Sequence, residues 1–288
     1  MDLRFSPAEE EFRQELRQFL STNKNLVKKA RNEHDRGIGW GPNTWELAME
    51  MLRQGVRDGI TEVICTPHIL SRNELDREKE VLELFAELIK RVAAEGLPIK
   101  IHIGSELYIQ PHLTFEKKIS TLAQNGRYFL VEFSMGMIPE YVSKKFFDLL
   151  LKHKTPIIAH PERNISIISK HDTAVQLVER GALLQMNAGS LLGVFGKTVK
   201  TSATRLMDAN LVHFIASDAH DSKSRPLKLR EAYDFVKAHW GPERAEKLFY
   251  ENQVKMMHAE DIKIGESKPP SQTVKRSIRD KIGFLRFK

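Results

Sequence analysis

Apolar residues fall into six short runs, at positions 60–65, 99–104, 128–131, 156–159, 182–186 and 212–217. Runs this short, separated by stretches long enough for a helix, read as buried strands of a parallel sheet with crossover helices. Between them apolar positions recur at helical spacing. This predicts helices over 44–58, about 73–95, 139–153, 171–180, 197–209, 226–239 and 242–250, with Gly59 and Gly96 as stops. A further helix, 6–22, opens on Ser6, Pro7 and Glu9, a capping box with proline at the first helical position. Residues 23–43 are polar, basic and glycine-containing and read as a loop; 265–271 reads as a linker. The chain therefore divides into an N-terminal helix and loop (1–36), a barrel-type α/β domain (37–260) and a basic C-terminal tail (261–288).

The runs lead into side chains of one chemical kind. The first leads through Thr66-Pro67 to His68, the second to Glu106, the third to Glu132 and the fourth to His160. The fifth ends at Asn187 and the sixth at Asp218, with His220 two residues on. If the sheet closes into a barrel, these ends share one face, where such folds build their sites. Imidazoles and carboxylates gathered there suit divalent first-row metals. Each alone has an ordinary explanation as a loop or core residue, but their recurrence at equivalent positions does not. Glu132, flanked by Val131 and Phe133, is the most telling, because a carboxylate among apolar neighbours needs a partner or a cation.

Composition narrows the setting. There is no run of 18 apolar residues, no secretory pattern at Met1-Asp2-Leu3-Arg4-Phe5, and one cysteine, Cys65, within the first apolar run. A cytoplasmic protein with Cys65 as a small core residue is expected. The net charge of +7 admits a nucleic-acid reading, but no zinc-finger, KH or RRM signature accompanies it. The basic excess lies in the tail, at Lys275, Arg276, Arg279, Lys281, Arg286 and Lys288, so no nucleic-acid partner is expected.

Five segments occur in a suggestive order: Thr66-Pro67-His68, Gly104-Ser105-Glu106, Val131-Glu132-Phe133-Ser134, Ala159-His160-Pro161-Glu162-Arg163 and Ala216-Ser217-Asp218-Ala219-His220. Together they resemble the polymerase-and-histidinol-phosphatase (PHP) superfamily, above all its bacterial tyrosine-protein phosphatases of capsule and exopolysaccharide operons. The resemblance covers about 37–252. It implies a distorted, TIM-like (β/α)7 barrel holding divalent metals, often manganese. By resemblance, Glu106 bridges two metals, Glu132 and His160 complete one site, His68 and His220 serve another and Asp218 a third. Arg163 and Arg225 would hold the substrate phosphate, as paired guanidinium hydrogen bonds do. No cysteine nucleophile is implied.

The chain departs from the pattern at its start. The family opens on a strand with His-x-His and an Asp-Asp-Gly-Pro loop. Aligned on Gly41-Pro42, Gly39 and Trp40 stand at the two aspartates, and Arg31 and Glu33 at the two histidines; His34 is one position out. The first strand therefore reads as lost or replaced. Residues 1–20 resemble the first helix of acyl-CoA dehydrogenases, over too short a span to imply that activity. Chance likeness and an unrelated start both stay open.

The expected function is metal-dependent dephosphorylation of protein phosphotyrosine, in capsule or exopolysaccharide synthesis, with a membrane-bound tyrosine kinase as the implied partner. Two rivals stay open: a phosphatase of a small metabolite such as histidinol phosphate, and a degenerate domain that binds phosphotyrosine or a kinase without hydrolysis. The tail interleaves Ile278, Ile282, Phe284, Leu285 and Phe287 with its basic residues. That suits either a solvated terminus or reversible attachment to an anionic membrane surface.

Overall fold

A computed structural model describes residues 42–263, apart from 112 and 114, with side chains from Trp45. The expected helix at 6–22, the positions Arg31, Glu33, His34, Gly39 and Trp40, and the tail beyond 263 lie outside the described residues. Residues from Trp45 onward belong to one compact unit.

Among the described residues there are eight strands: β1 (Glu62–Cys65), β2 (His68–Ile69), β3 (Lys100–Ile103), β4 (Glu106–Tyr108), β5 (Tyr128–Glu132), β6 (Thr155–Ala159), β7 (Leu183–Asn187) and β8 (Phe214–Ala216). β1 pairs with β3, and the other six form a sheet in the order β2-β4-β5-β6-β7-β8. Every pairing is parallel. The fold is therefore α/β with a parallel sheet, as expected from the alternation.

Two predicted strands resume after a break. Thr66-Pro67 interrupts β1 before β2, since proline has no N–H for the ladder, and Gly104-Ser105 interrupts β3 before β4. Two bonds keep the paired strands in step across the gap, Gly104 N–H to Cys65 O (2.9 Å) and Glu106 N–H to Pro67 O (3.0 Å). Gly104 lies against the Leu122 backbone: a Cβ there would meet Leu122 Cα at 3.0 Å. Register survives the break, so His68 stands opposite Glu106.

The helices are α1 (Pro42–Asp58), α2 (Arg72–Leu75), α3 (Glu78–Glu95), α4 (Tyr141–Leu150), α5 (Ile165–Ser169), α6 (Asp172–Glu179), α7 (Ala188–Leu192), α8 (Lys197–Asp208), α9 (Arg230–Trp240), α10 (Pro242–Glu246) and α11 (Asn252–Met257), with a wide π turn at Lys247–Glu251. The single helix expected over 73–95 is two. Ser71 caps α2 by accepting from Glu74 N–H (3.4 Å), and the Glu74 carboxylate accepts from Leu70 N–H (2.6 Å). That makes α2 a closed turn of its own. Gly96, at φ +65°, ends α3 in the left-handed cap its position predicts. The short helices α5 and α7 escaped the periodicity argument, because five residues span too little of a helical repeat.

The sheet is buried on both faces, which explains runs that are apolar throughout. Ile69, Leu107, Phe129, Val131, Ile158, Leu184, Met186 and Ile215 join a large core with residues of α4, α6, α8 and α9. The alternate positions, Tyr128, Leu130, Ile157, Ala159, Leu183 and Phe214, pack with Leu122, Met256 and Ile262 in a smaller core. The Tyr128 hydroxyl donates to Glu260 O (2.5 Å). Packing thus continues to Ile262, past the expected start of the tail at 261.

Candidate metal and phosphate site

Strand parity determines which side chains meet. Glu132 is two residues beyond Leu130, which pairs with Glu106, so both carboxylates face the smaller-core side of the sheet. His68 faces the same way, being opposite Glu106, and Asn187 does so through Leu183. His160 and Asp218 follow β6 and β8 with positive φ, 36° and 48°. A non-glycine residue held there is strained, and such strain gathers at functional sites.

The result is a cluster that brings together His68, Glu106, Glu132, His160, Asp218, His220, Arg163 and Arg225. Glu106 and Glu132 are 4% exposed and His160 is 5% exposed. His160 Nε2 lies 3.0 Å from Glu106 Oε1 and 3.6 Å from Glu132 Oε2. His68 Nδ1 lies 2.9 Å from Glu132 Oε1 and 3.7 Å from Glu106 Oε2. Its other nitrogen lies 3.5 Å from His220 Nε2. His68 thus touches Glu106 and Glu132 on one side and His220 on the other.

Two buried carboxylates need positive charge nearby, and in the protein alone the imidazoles supply it. Burial opposes charge on His160, but its bonds to Glu106 and Glu132 win and lift its pKa to about 10. His68 rises to about 9: burial acts against it, and the Glu132 bond and neighbouring carboxylates outweigh burial. Burial works to raise Glu132, yet His160 and His68 pull it down to about 2. His220 goes the other way, lowered by burial and by the charges of Arg225 and His68 against the pull of Asp218.

This donor set fits a divalent cation. Ligand atoms of His68, Glu106 and Glu132 all lie within 4.8 Å of one another. The protons that His68 and His160 hold beside these carboxylates are ones a cation can displace, and nitrogen and carboxylate donors are the types such cations take.

Beside this centre Asp218 gathers cations and a donor. Arg225 bonds its Oδ2, Arg163 Nη1 lies 3.6 Å from the same oxygen, and Asn187 Nδ2 donates to it at 2.5 Å. Burial would raise the Asp218 carboxyl, but Arg225, His160, His220 and Arg163 hold it below its ordinary value. Glu162, the residue before Arg163, is fully buried and accepts from Ser190 Oγ (2.6 Å) and Asn187 N–H (3.1 Å). The site therefore pairs a metal-type centre with two guanidinium groups, the combination that binds and polarises a phosphoryl group. Sequence reasoning missed Glu162, visible only as the residue before Arg163, and Phe195, whose ring lies against both arginines.

A family model described as capsular polysaccharide synthesis, CpsB/CapC, matches residues 36–258. The chain belongs to this family. Among CpsB/CapC relatives, the tyrosine-protein phosphatase YwqE of Bacillus subtilis is 36% identical over 240 residues, covering 83% of this chain and 92% of the relative. The tyrosine-protein phosphatase CpsB of Streptococcus pneumoniae is 28% identical over 227 residues, covering 75% and 92%. A solved structure from a study of YwqE of B. subtilis and CpsB of S. pneumoniae, described as metal-dependent tyrosine phosphatases, superposes with a TM-score of 0.70 at 33% identity. It covers 78% of this chain and 92% of that one. The extent expected from the five motifs, about 37–252, nearly coincides with the family match.

Proposed function

We propose that this protein is a metal-dependent phosphatase of protein phosphotyrosine, acting in capsular or exopolysaccharide synthesis. The observation that carries the reading is the meeting of His68, Glu106, Glu132 and His160 beside Arg163 and Arg225. His68, Glu106, Glu132 and His160 would hold a divalent cation, with His220 and Asp218 extending the set to further ions; manganese suits these donors. Such an ion supplies Lewis acidity and a nucleophile at neutral pH. The rest falls to the chain. Arg163 and Arg225 leave Asp218 for the phosphoryl oxygens and fix the phosphorus in line for attack. Asn187 keeps Asp218 oriented while its charge is shared. The sequential parallel sheet supports the finer reading of a distorted PHP barrel.

The test is hydrolysis of a phosphotyrosine peptide and of p-nitrophenyl phosphate, with metal content measured in parallel. Activity should vanish on chelation and return with Mn2+. Full activity after chelation overturns the metal reading. Tight binding of the peptide with no hydrolysis under any metal supports the non-catalytic module instead.

A membrane-bound tyrosine kinase as substrate, and a cytoplasmic protein that docks at the membrane through its tail, belong to the same reading. The support is six basic residues interleaved with aromatic and aliphatic ones at 275–288. Deleting 272–288 should weaken sedimentation with phosphatidylserine vesicles at low salt, each basic residue near the surface contributing about 1 kcal/mol. Equal, negligible binding of both chains removes the reason to place the protein at a membrane.

A further inference from the structure

Phe195 sits in the short loop between α7 and α8, framed by Gly193 (φ +89°) and Gly196 (φ +91°). Three backbone bonds fold this loop tightly: Gly193 N–H to Ser190 O (3.2 Å), Val194 N–H to Gly189 O (2.9 Å) and Gly196 N–H to Gly193 O (3.0 Å). The ring is half-buried yet joins none of the hydrophobic cores among the described residues. Its surroundings are different. On one side is bare backbone: a Cβ added at Gly189 would meet Phe195 Cε2 at 3.3 Å. The Arg163 guanidinium lies 4.4 Å from the ring centroid, and that of Arg225 lies 5.9 Å from it. Both distances are within cation–π range. The same two guanidinium groups converge on Asp218 Oδ2.

An aromatic ring outside the core, seated on a glycine and facing two cations, is placed for those cations. Two guanidinium groups side by side repel each other. Asp218 offsets that repulsion until its charge is shared with another cation, and a ring face offsets it without competing for phosphate. We propose that Phe195 is a positioning residue that holds Arg163 and Arg225 together as a preformed phosphate clamp. The inference rests on the phosphatase reading for its substrate, but the clamp itself is defined by phosphate binding.

The test uses the full chain loaded with Mn2+ and carrying F195L, F195A or F195Y. The readouts are Kd for inorganic phosphate, and KM and kcat for a phosphotyrosine peptide. F195L keeps an apolar side chain and removes the π face, and should raise phosphate Kd and peptide KM about fivefold, with kcat changed less. F195A should behave alike, and F195Y should restore wild-type values. In an R163A background, F195L should add much less than its effect alone. Leucine within about twofold of wild type on both Kd and KM, with an unchanged melting temperature, overturns the proposal. So does an undiminished F195L effect in the R163A background. Phosphate binding separates this outcome from failure of the phosphatase reading, since it is measured whether or not the wild-type protein hydrolyses the peptide.

Discussion

At the scale of single residues, the site is a balance between protons and a cation. His160 and His68 are lifted from an ordinary 6.5 to about 10 and about 9 by the carboxylates they touch. Raised histidines stabilise the metal-free fold fully below pH 6.5, and that contribution is lost as pH rises through 9–10. A cation taking their place gains as the protons leave. The rise in melting temperature on adding Mn2+ should therefore be larger at about pH 9 than at about pH 6.5. At about pH 8, Mn2+ binding should release more than one proton, read by calorimetry in buffers of different ionisation enthalpy. A site of unperturbed histidines would release almost none at that pH, and this result would remove the assignment of carboxylate-raised imidazoles. The sequence named these residues because they follow apolar runs, but it was silent on Phe195. Nothing in a Gly-Val-Phe-Gly segment distinguishes a ring seated on cations from one buried in the core.

At the scale of elements, the informative feature is the pair of broken strands. Both strands were legible from their apolar runs, and Glu106 and His68 read as residues lying past their ends. In the fold they begin new segments, β4 and β2, that continue the pairing. Gly104 makes this possible by lying 3.0 Å, measured from where its Cβ would be, from the Leu122 backbone. G104A should therefore cost about 1–3 kcal/mol of stability, because backbone rather than a flexible side chain must give way. Metal affinity should fall as well, since the same seam sets Glu106 opposite His68. Urea unfolding and Mn2+ titration of the variant check both parts, and an unchanged midpoint shows that the seam is looser than its contact implies. The split of the helix expected over 73–95 has a similar cause. Ser71 and Glu74 satisfy their own turn, which periodicity alone cannot register.

For the whole molecule, the question is what residues 31–40 contribute to the chemistry. Arg31, Glu33, Gly39 and Trp40 stand where the family resemblance expects two histidines and two aspartates. Changing them together, as R31H, E33H, G39D and W40D, should raise kcat with Mn2+ by at least about tenfold, the scale on which metal-site partners act. If turnover is unchanged, the alignment of that segment is wrong, and the set from His68 to His220 acts alone. By itself the sequence determined the α/β class, the alternation of apolar strand runs with the longer helices, and the strand ends at which metal-type side chains appear. Those properties follow from hydrophobic period and local caps, which are written into neighbouring residues. Only the tertiary structure decided the pairings. His68 lies between Glu132, 64 positions away, and His220, 152 positions away. Asp218 is drawn to Arg225 and Arg163, and Phe195 is laid against both guanidinium groups. Such contacts depend on sheet register and on which face each side chain takes, and distant segments acquire both only when they pack together.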